Sequence, residues 1–369
     1  MSETNTPTQR DLIQSEALSK IVNKTRAGLD ISMGVGKTYI GLQYLQKVTG
    51  LFEKILVAAP KRSIFESWKN DAIKFDMEPI LEKITFTTYI SLNKHNPSDY
   101  TVLILDEAHN AKDSHRSFLS NFKGRILGLT GTPPKWGSSE QGMIMHEFYP
   151  IAYSYTVDNA VSSGILNDYA IFIHPVNLSD AKDMKTKQGW YTSEYQQYNY
   201  LTRRVDEAVG QSSFKMNVLR LSAMKQFKSK ETYVEKCLKL IKPEDKCLIF
   251  SNTTEQADRI CEHSYHSKNS KEVNNNNLEA FKNGTITRLS AVEQLSEGIT
   301  IPNLKHIIIM HAYGNEKKAS QKIGRALRLN PDEKSSIHIL AYKNTVDQKW
   351  VNQSLESFDK TKIKTANIK

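Results

Sequence analysis

The chain has 369 residues, 39% hydrophobic and 24% charged, a globular composition long enough for about two domains with separate cores. Three cysteines exclude a disulfide framework, the longest apolar runs are strand-length rather than membrane spans, and residues 1–10 lack a secretory pattern, so a cytoplasmic protein is expected. A net charge of +10, with a pI near 9.2, points to a polyanionic partner and says nothing of fold.

In chain order, strand-like apolar runs alternate with helical stretches, the pattern of a parallel α/β protein. Gln9, in Thr6-Pro7-Thr8-Gln9, is a candidate reader of an adenine edge, with Gln14 a weaker competitor. A strand over 28–32 runs into Met33-Gly34-Val35-Gly36-Lys37-Thr38 and an apolar helix pattern (Ile40, Leu42, Leu45). A glycine loop opening a helix aims backbone N–H groups at phosphate; Lys37 can reach the β- and γ-phosphates, and the Thr38 hydroxyl can bind magnesium. Ile31 stands where the full phosphate-loop pattern has its first glycine, so this segment alone also fits an ordinary turn.

Further strands are predicted over 54–59, 84–87, 101–106 and 125–130. The run 102–105 is uniformly apolar and ends in Asp106-Glu107-Ala108-His109. Carboxylates at the C-terminal end of such a strand suit a magnesium ligand, Asp106, and a residue that orients attacking water, Glu107. An acidic surface-helix start is the plainer reading, but it leaves the apolar strand unexplained.

A second series over 170–175, 246–251, 287–291, 306–311 and 336–342 repeats the architecture without repeating the sequence. The expected domains are 1–160 and 161–369, with a helical elaboration at about 180–240. There Tyr191, Tyr195 and Tyr198 fall at i, i+4, i+7 among Lys185, Lys187, Trp190, Arg203 and Arg204. Single-strand stacking platforms mix bases and aromatics in this way, but we read the spacing as a helix packed on the second domain. Residues 274–277 are expected in a loop or helix start, and the lysine-rich tail after Trp350 is expected to fray. Gln321-Lys322-Ile323-Gly324-Arg325-Ala326-Leu327-Arg328 puts two arginines on one helix face, suited to neutralising a transferring phosphoryl group.

These motifs, in this order and over nearly the whole chain, resemble superfamily 2 helicases and translocases. Met33-Gly34-Val35-Gly36-Lys37-Thr38, Ala59-Pro60-Lys61 with Trp68-Lys69, and Asp106-Glu107-Ala108-His109-Asn110-Ala111-Lys112 look similar to the Swi/Snf-type branch. Gly164-Ile165-Leu166-Asn167-Asp168-Tyr169 and the compact size look more like small phage-encoded helicases. The resemblance implies an α/β fold of two tandem RecA-like lobes with parallel sheets, ATP in the cleft between them and nucleic acid across both. It implies ATP and Mg2+ as cofactors; Lys37, Asp106, Glu107, Gln321, Arg325 and Arg328 as catalytic residues; and Gly298 as a further nucleotide contact.

By matching position, Pro60, Lys61, Arg62, Ser63, Thr87, Thr88 and Tyr89 would touch the nucleic-acid backbone from the first lobe. Ser251, Asn252 and Ser290 would do so from the second, while His109, Thr130, Gly131 and Thr132 would couple the two sites. Thr300 stands near the place where many relatives carry aspartate, and there is no room for the insertions of chromatin remodellers. The implied activity is nucleic-acid-stimulated ATP hydrolysis that moves along or remodels DNA in replication, recombination or repair. The alternatives are an RNA-directed helicase and a nucleotide-switched clamp without net movement. Expected partners are nucleic acid, DNA before RNA, and host or replication and recombination proteins; no membrane is expected, and the chain is expected to act as a monomer.

Two other patterns are set aside. Cys261-x-His263-x-x-His266 lacks a fourth ligand at zinc-like spacing and is read as structural. No nuclease constellation is visible, so a restriction subunit acting alone is not expected.

Overall fold

The computed structural model describes residues 7–32, 34–50, 53–134, 137, 139–186, 189–292, 301–311, 322–323, 334–356 and 358–368. The chain forms two compact units, with the changeover between Asp168 and Tyr169.

The first unit is built on a parallel six-stranded sheet of β1 (Arg26–Ile31), β2 (Ile55–Ala59), β3 (Ile84–Thr88), β4 (Val102–Asp106), β5 (Arg125–Thr130) and β6 (Ile151–Tyr155), ordered β3-β2-β4-β5-β1-β6. All of β2 and β4 is buried, as their unbroken apolar runs require when both sheet faces are covered. On one face Phe118, Leu119 and Phe122 pack with Ile144, Met145 and Phe148 over Leu103 and Leu105. Elsewhere in this unit Trp68, from the helix Ser63–Lys74, packs on Gly41 of the helix Lys37–Val48; a Cβ there would lie 2.6 Å from the indole. The sixth strand was not anticipated, because Ile-Ala-Tyr-Ser-Tyr is only partly buried and lacks the continuous apolar run of the central strands. After it, the N–H groups of Ile165 and Leu166 both bond to the Ala160 carbonyl at 2.9 Å, so the chain stays with the first unit past residue 160.

The second unit carries β7 (Asp168–Val176), β10 (Lys246–Phe250), β11 (Ser264–Tyr265), β12 (Arg288–Ala291), β13 (Leu304–Ile309), β14 (Lys334–Tyr342) and β15 (Ile363–Thr365). Their order is β11-β12-β10-β13-β14-β7-β15, and a separate antiparallel hairpin joins β8 (Met184–Lys185) to β9 (Tyr191–Thr192). The lysine-rich tail does not fray: β15 pairs in parallel with Ile171–Ile173 of β7, and Lys362 lies 4.7 Å over the Tyr169 ring. Residues 274–277 sit inside the helix Lys271–Asn283, where the Asn274 amide bonds both backbone groups of His266, at 3.1 and 2.9 Å. The tyrosine reading also needs correction: Tyr198 packs inward and accepts the Val346 N–H at 2.9 Å, while Tyr191 and Tyr195 are exposed.

A row of imidazoles crosses this sheet. His338 stacks on His174 (centroids 5.2 Å apart) and on His306 (5.9 Å), and His174 Nε2 is 2.9 Å from His338 Nδ1. Burial pushes His174 down to about 4 and, with help from the other two rings, His338 to about 3; it lowers His306 as well. Such groups gain protons on unfolding, so the stability penalty is absent above about pH 6.5 and grows as pH falls toward the folded values. The urea midpoint, followed by circular dichroism, is therefore expected to fall between about pH 7 and about pH 5. It should fall less in His338→Phe, which keeps a ring against Phe172 and cannot take up a proton.

Candidate active site

The strands β1, β5 and β4 are parallel neighbours, and their C-terminal ends bring three separate segments to one sheet edge. After β1 the chain turns through Gly34 (φ 88°) and Gly36 (φ 103°), left-handed positions that glycine adopts at little cost, into the helix Lys37–Val48. No side chain caps this helix and its first turn holds no acid, so its leading N–H groups are available to an anion. Lys37 Nζ donates to the Ile31 carbonyl at 3.2 Å, and half-buried Thr38 follows in the first turn. Gly131, just past β5, presses on this lysine: a Cβ there would lie 3.2 Å from Nζ.

The loop is held from behind. Gln14 Nε2 donates to the Val35 carbonyl at 2.6 Å and Arg10 Nε to the same oxygen at 3.0 Å, while the Val35 side chain is buried. Gln14 shares the buried stripe of the helix Gln9–Ile21 with Ile13, Ala17 and Leu18; that phase was the available signal. Gln9 is exposed at the outer end of the helix, so of the two glutamines it is Gln14 that reaches the loop.

Asp106 closes β4 and is buried. Its Oδ2 accepts the Trp68 indole N–H at 2.8 Å and its Oδ1 accepts the Glu107 N–H at 2.8 Å. Burial raises its pKa, and the Trp68 bond, the Lys37 charge and the Glu107 N–H oppose that rise. Tyr89 Oη donates to the Asp106 carbonyl and Tyr149 Oη to that of Ala108, each at 3.0 Å, which fixes the turn from both sides. Glu107 sits in the left-handed region (φ 49°) with its Oε2 3.5 Å from His109 Nδ1. That nitrogen is 2.9 Å from Thr130 Oγ1 and 3.4 Å from Thr132 Oγ1, and the Thr132 N–H donates to Thr130 Oγ1 at 3.1 Å. His109, Thr130 and Thr132 thus lie in one connected network, while Gly131 between them abuts Ile31 and Lys37. Trp68, Arg10 and Tyr149 were not anticipated in these positions.

The expected nucleic-acid contacts divide. Lys61, Arg62 and Ser63 are exposed beyond the end of β2, with Pro60 half-buried beside them and Thr88 half-buried at the end of β3. Thr87 and Tyr89 are buried, with Thr87 Oγ1 3.0 Å from His95 Nε2 and the Tyr89 hydroxyl on Asp106. In the second unit Ser251 and Ser290 are buried with their hydroxyls 2.7 Å apart, and half-buried Asn252 donates its N–H to Gln256 Oε1. The hydroxyls of Thr87, Tyr89, Ser251 and Ser290 are thus held by internal hydrogen bonds. Met33, Gly298, Gln321, Arg325 and Arg328 lie outside the described residues. His266 is committed to Asp258 (2.8 Å) and Ser264 (3.1 Å).

An anion-ready helix start, a lysine, a hydroxyl and a buried carboxylate beside a second acid fit a nucleoside triphosphate, and two parallel α/β units in series define a RecA-like motor ATPase. Residues 7–135 match the family model for the type III restriction enzyme res subunit, and residues 220–330 match the helicase conserved C-terminal domain. The chain is 23% identical to DNA 3′-5′ translocase XPB2 of Sulfurisphaera tokodaii, over 90% of this chain and 82% of that protein. In fold it is similar to the Pyrococcus furiosus Hef helicase domain, with a TM-score of 0.52 and 14% identity over 95% of this chain and 100% of that one. The type ISP restriction-modification enzyme LlaBIII bound to DNA gives a TM-score of 0.64 and 14% identity, but this chain spans only 31% of it. The chain belongs to the superfamily 2 helicases and translocases and is an ATPase of that superfamily. Among the described residues no helix is long and apolar enough to cross a membrane.

Proposed function

We propose that this protein is an ATP-dependent translocase or helicase that couples ATP hydrolysis to movement on DNA. The observation that carries the proposal is the contact chain from Glu107 through His109 to Thr130 and Thr132, which links a water-activating carboxylate to a second strand end. Bound as its magnesium complex, ATP would supply the phosphoanhydride bond whose hydrolysis drives the cycle. Lys37 and the helix N-terminus bind the phosphates, Thr38 and Asp106 hold the metal, and Glu107 orients water and takes its proton. By their match to the family's motifs, Arg325 and Arg328 would supply cations for the transferring phosphoryl group, with Gln321 a further catalytic residue and Gly298 a further nucleotide contact. Lys61, Arg62 and Ser63 grip a phosphate backbone, and DNA is favoured over RNA because XPB2 is a DNA translocase by name. Three cysteines, of which Cys237 and Cys247 are buried, suit a reducing cytoplasm.

Displacement of a triplex-forming third strand tests movement. ATP-dependent release by the wild type, steeply weakened by salt, is expected; ATP hydrolysis without displacement of a third strand or a paired strand would leave a clamp instead. Asp106 must be ionised to hold metal, and the Trp68 hydrogen bond favours that form. Trp68→Phe is therefore expected to move the acid limb of the ATPase profile to higher pH. It should also raise the magnesium needed for half-maximal rate by roughly tenfold, the worth of one charged hydrogen bond.

A further inference from the structure

The second unit presents an aromatic surface that none of the contacts above uses. The β8–β9 hairpin is closed by the Thr186 N–H on the Trp190 carbonyl at 2.8 Å and the Trp190 N–H on Thr186 Oγ1 at 3.1 Å. Trp190 and Tyr191, at its end, are 75% and 65% exposed. The helix Glu194–Glu207 begins two residues after β9 and is anchored firmly: buried Glu194 accepts the N–H groups of Ser179, Lys228 and Ser229 at 3.0, 2.7 and 2.9 Å. Tyr198 faces inward. Tyr195 and Tyr200 are 52% and 54% exposed, and exposed Arg203 and Arg204 follow Tyr200 at i+3 and i+4, within side-chain reach of it.

Four large rings in solvent within a short stretch is an unusual outlay for a soluble surface. The other exposed residues of this helix are Gln196, Asn199, Asp206 and Glu207, so the helix itself exposes no aliphatic side chain, although Val209 and, on the next helix, Phe214, Val218 and Leu219 are exposed. Lys185, Arg203 and Arg204 are exposed in the same stretch, which adds cations to the exposed rings. Rings presented with exposed cations suit unpaired bases on a phosphate backbone, since every base has a face to stack and every link a charge.

We propose that Trp190, Tyr191, Tyr195 and Tyr200, with Arg203 and Arg204, form a stacking platform for an unpaired DNA strand, separate from the backbone grip of Lys61 and Arg62. This rests on the reading that the protein works on nucleic acid. The test uses the full chain, fluorescence anisotropy with a labelled dT20 strand and with a 20-base-pair duplex, and ATP turnover without DNA. Trp190→Ala with Tyr195→Ala is expected to weaken dT20 binding about tenfold or more, at the usual worth of base stacking. Duplex affinity and DNA-free turnover should stay near the wild-type values, and Trp190→Phe with Tyr195→Phe should bind nearly normally. Equal losses for dT20 and duplex would overturn stacking. Unchanged dT20 binding in the double alanine variant, while the wild type still responds to DNA, would overturn the platform and leave the motor reading standing. Unchanged dT20 binding with altered sedimentation would make the patch a protein-docking face instead. A wild type that neither binds DNA nor is stimulated by it would remove the motor reading itself.

Discussion

Glu107→Gln is expected to lower ATP turnover by about 10²–10⁴-fold, the usual worth of a general base, while leaving nucleotide binding and fold intact. The side chain is partly exposed, and glutamine reproduces its shape. The left-handed backbone at Glu107 is kept by Tyr89 and Tyr149 on either side of the turn rather than by the carboxylate. What is lost is the proton acceptor and its charge beside His109. Steady-state ATPase rates together with calorimetric titration of a nonhydrolysable ATP analogue check this. Turnover within a few-fold of wild type would remove Glu107 from the chemistry.

Asp347→Ala is expected to cost about 3–5 kcal/mol of stability, because it strands a buried ammonium. Lys230 and Asp347 are both buried, with Nζ 2.5 Å from Oδ2. Lys230 also donates to the carbonyls of Met310 and Leu340, and the Tyr342 N–H donates to Asp347, so the pair ties the ends of β13 and β14 to the helix Val346–Ser354. Burial alone would raise the Asp347 carboxyl, but the Lys230 ammonium and His311 overcome it and hold it well below the usual carboxylate range. Urea unfolding of the single variant, and of Lys230→Met with Asp347→Leu, separates the pair's net worth from the penalty of breaking it. The double variant should recover much of the loss. A loss under about 1 kcal/mol for Asp347→Ala would contradict the burial argument.

The central strands of both sheets were legible because buried parallel strands read as unbroken apolar runs. The others were not, for local reasons: β8, β9, β11 and β15 are two or three residues long, and β6 is a partly exposed edge strand. The phosphate loop and the Asp106–His109 turn were legible because each is a contiguous segment at a strand end. The bonds that hold them were not, since Gln14 to Val35 and Trp68 to Asp106 join residues 21 and 38 positions apart. The tyrosine periodicity failed because Tyr191 precedes the helix, which starts at Glu194, so a helical spacing did not apply to it.

The most direct test of the central claim measures ATP turnover with and without DNA in the wild type and in Thr130→Val, which keeps the buried shape at Thr130 but removes the hydroxyl facing His109. DNA should raise wild-type turnover several-fold, and Thr130→Val should retain the DNA-free rate while losing most of that rise. Equal wild-type turnover with and without DNA would contradict the coupling of this ATP site to nucleic acid.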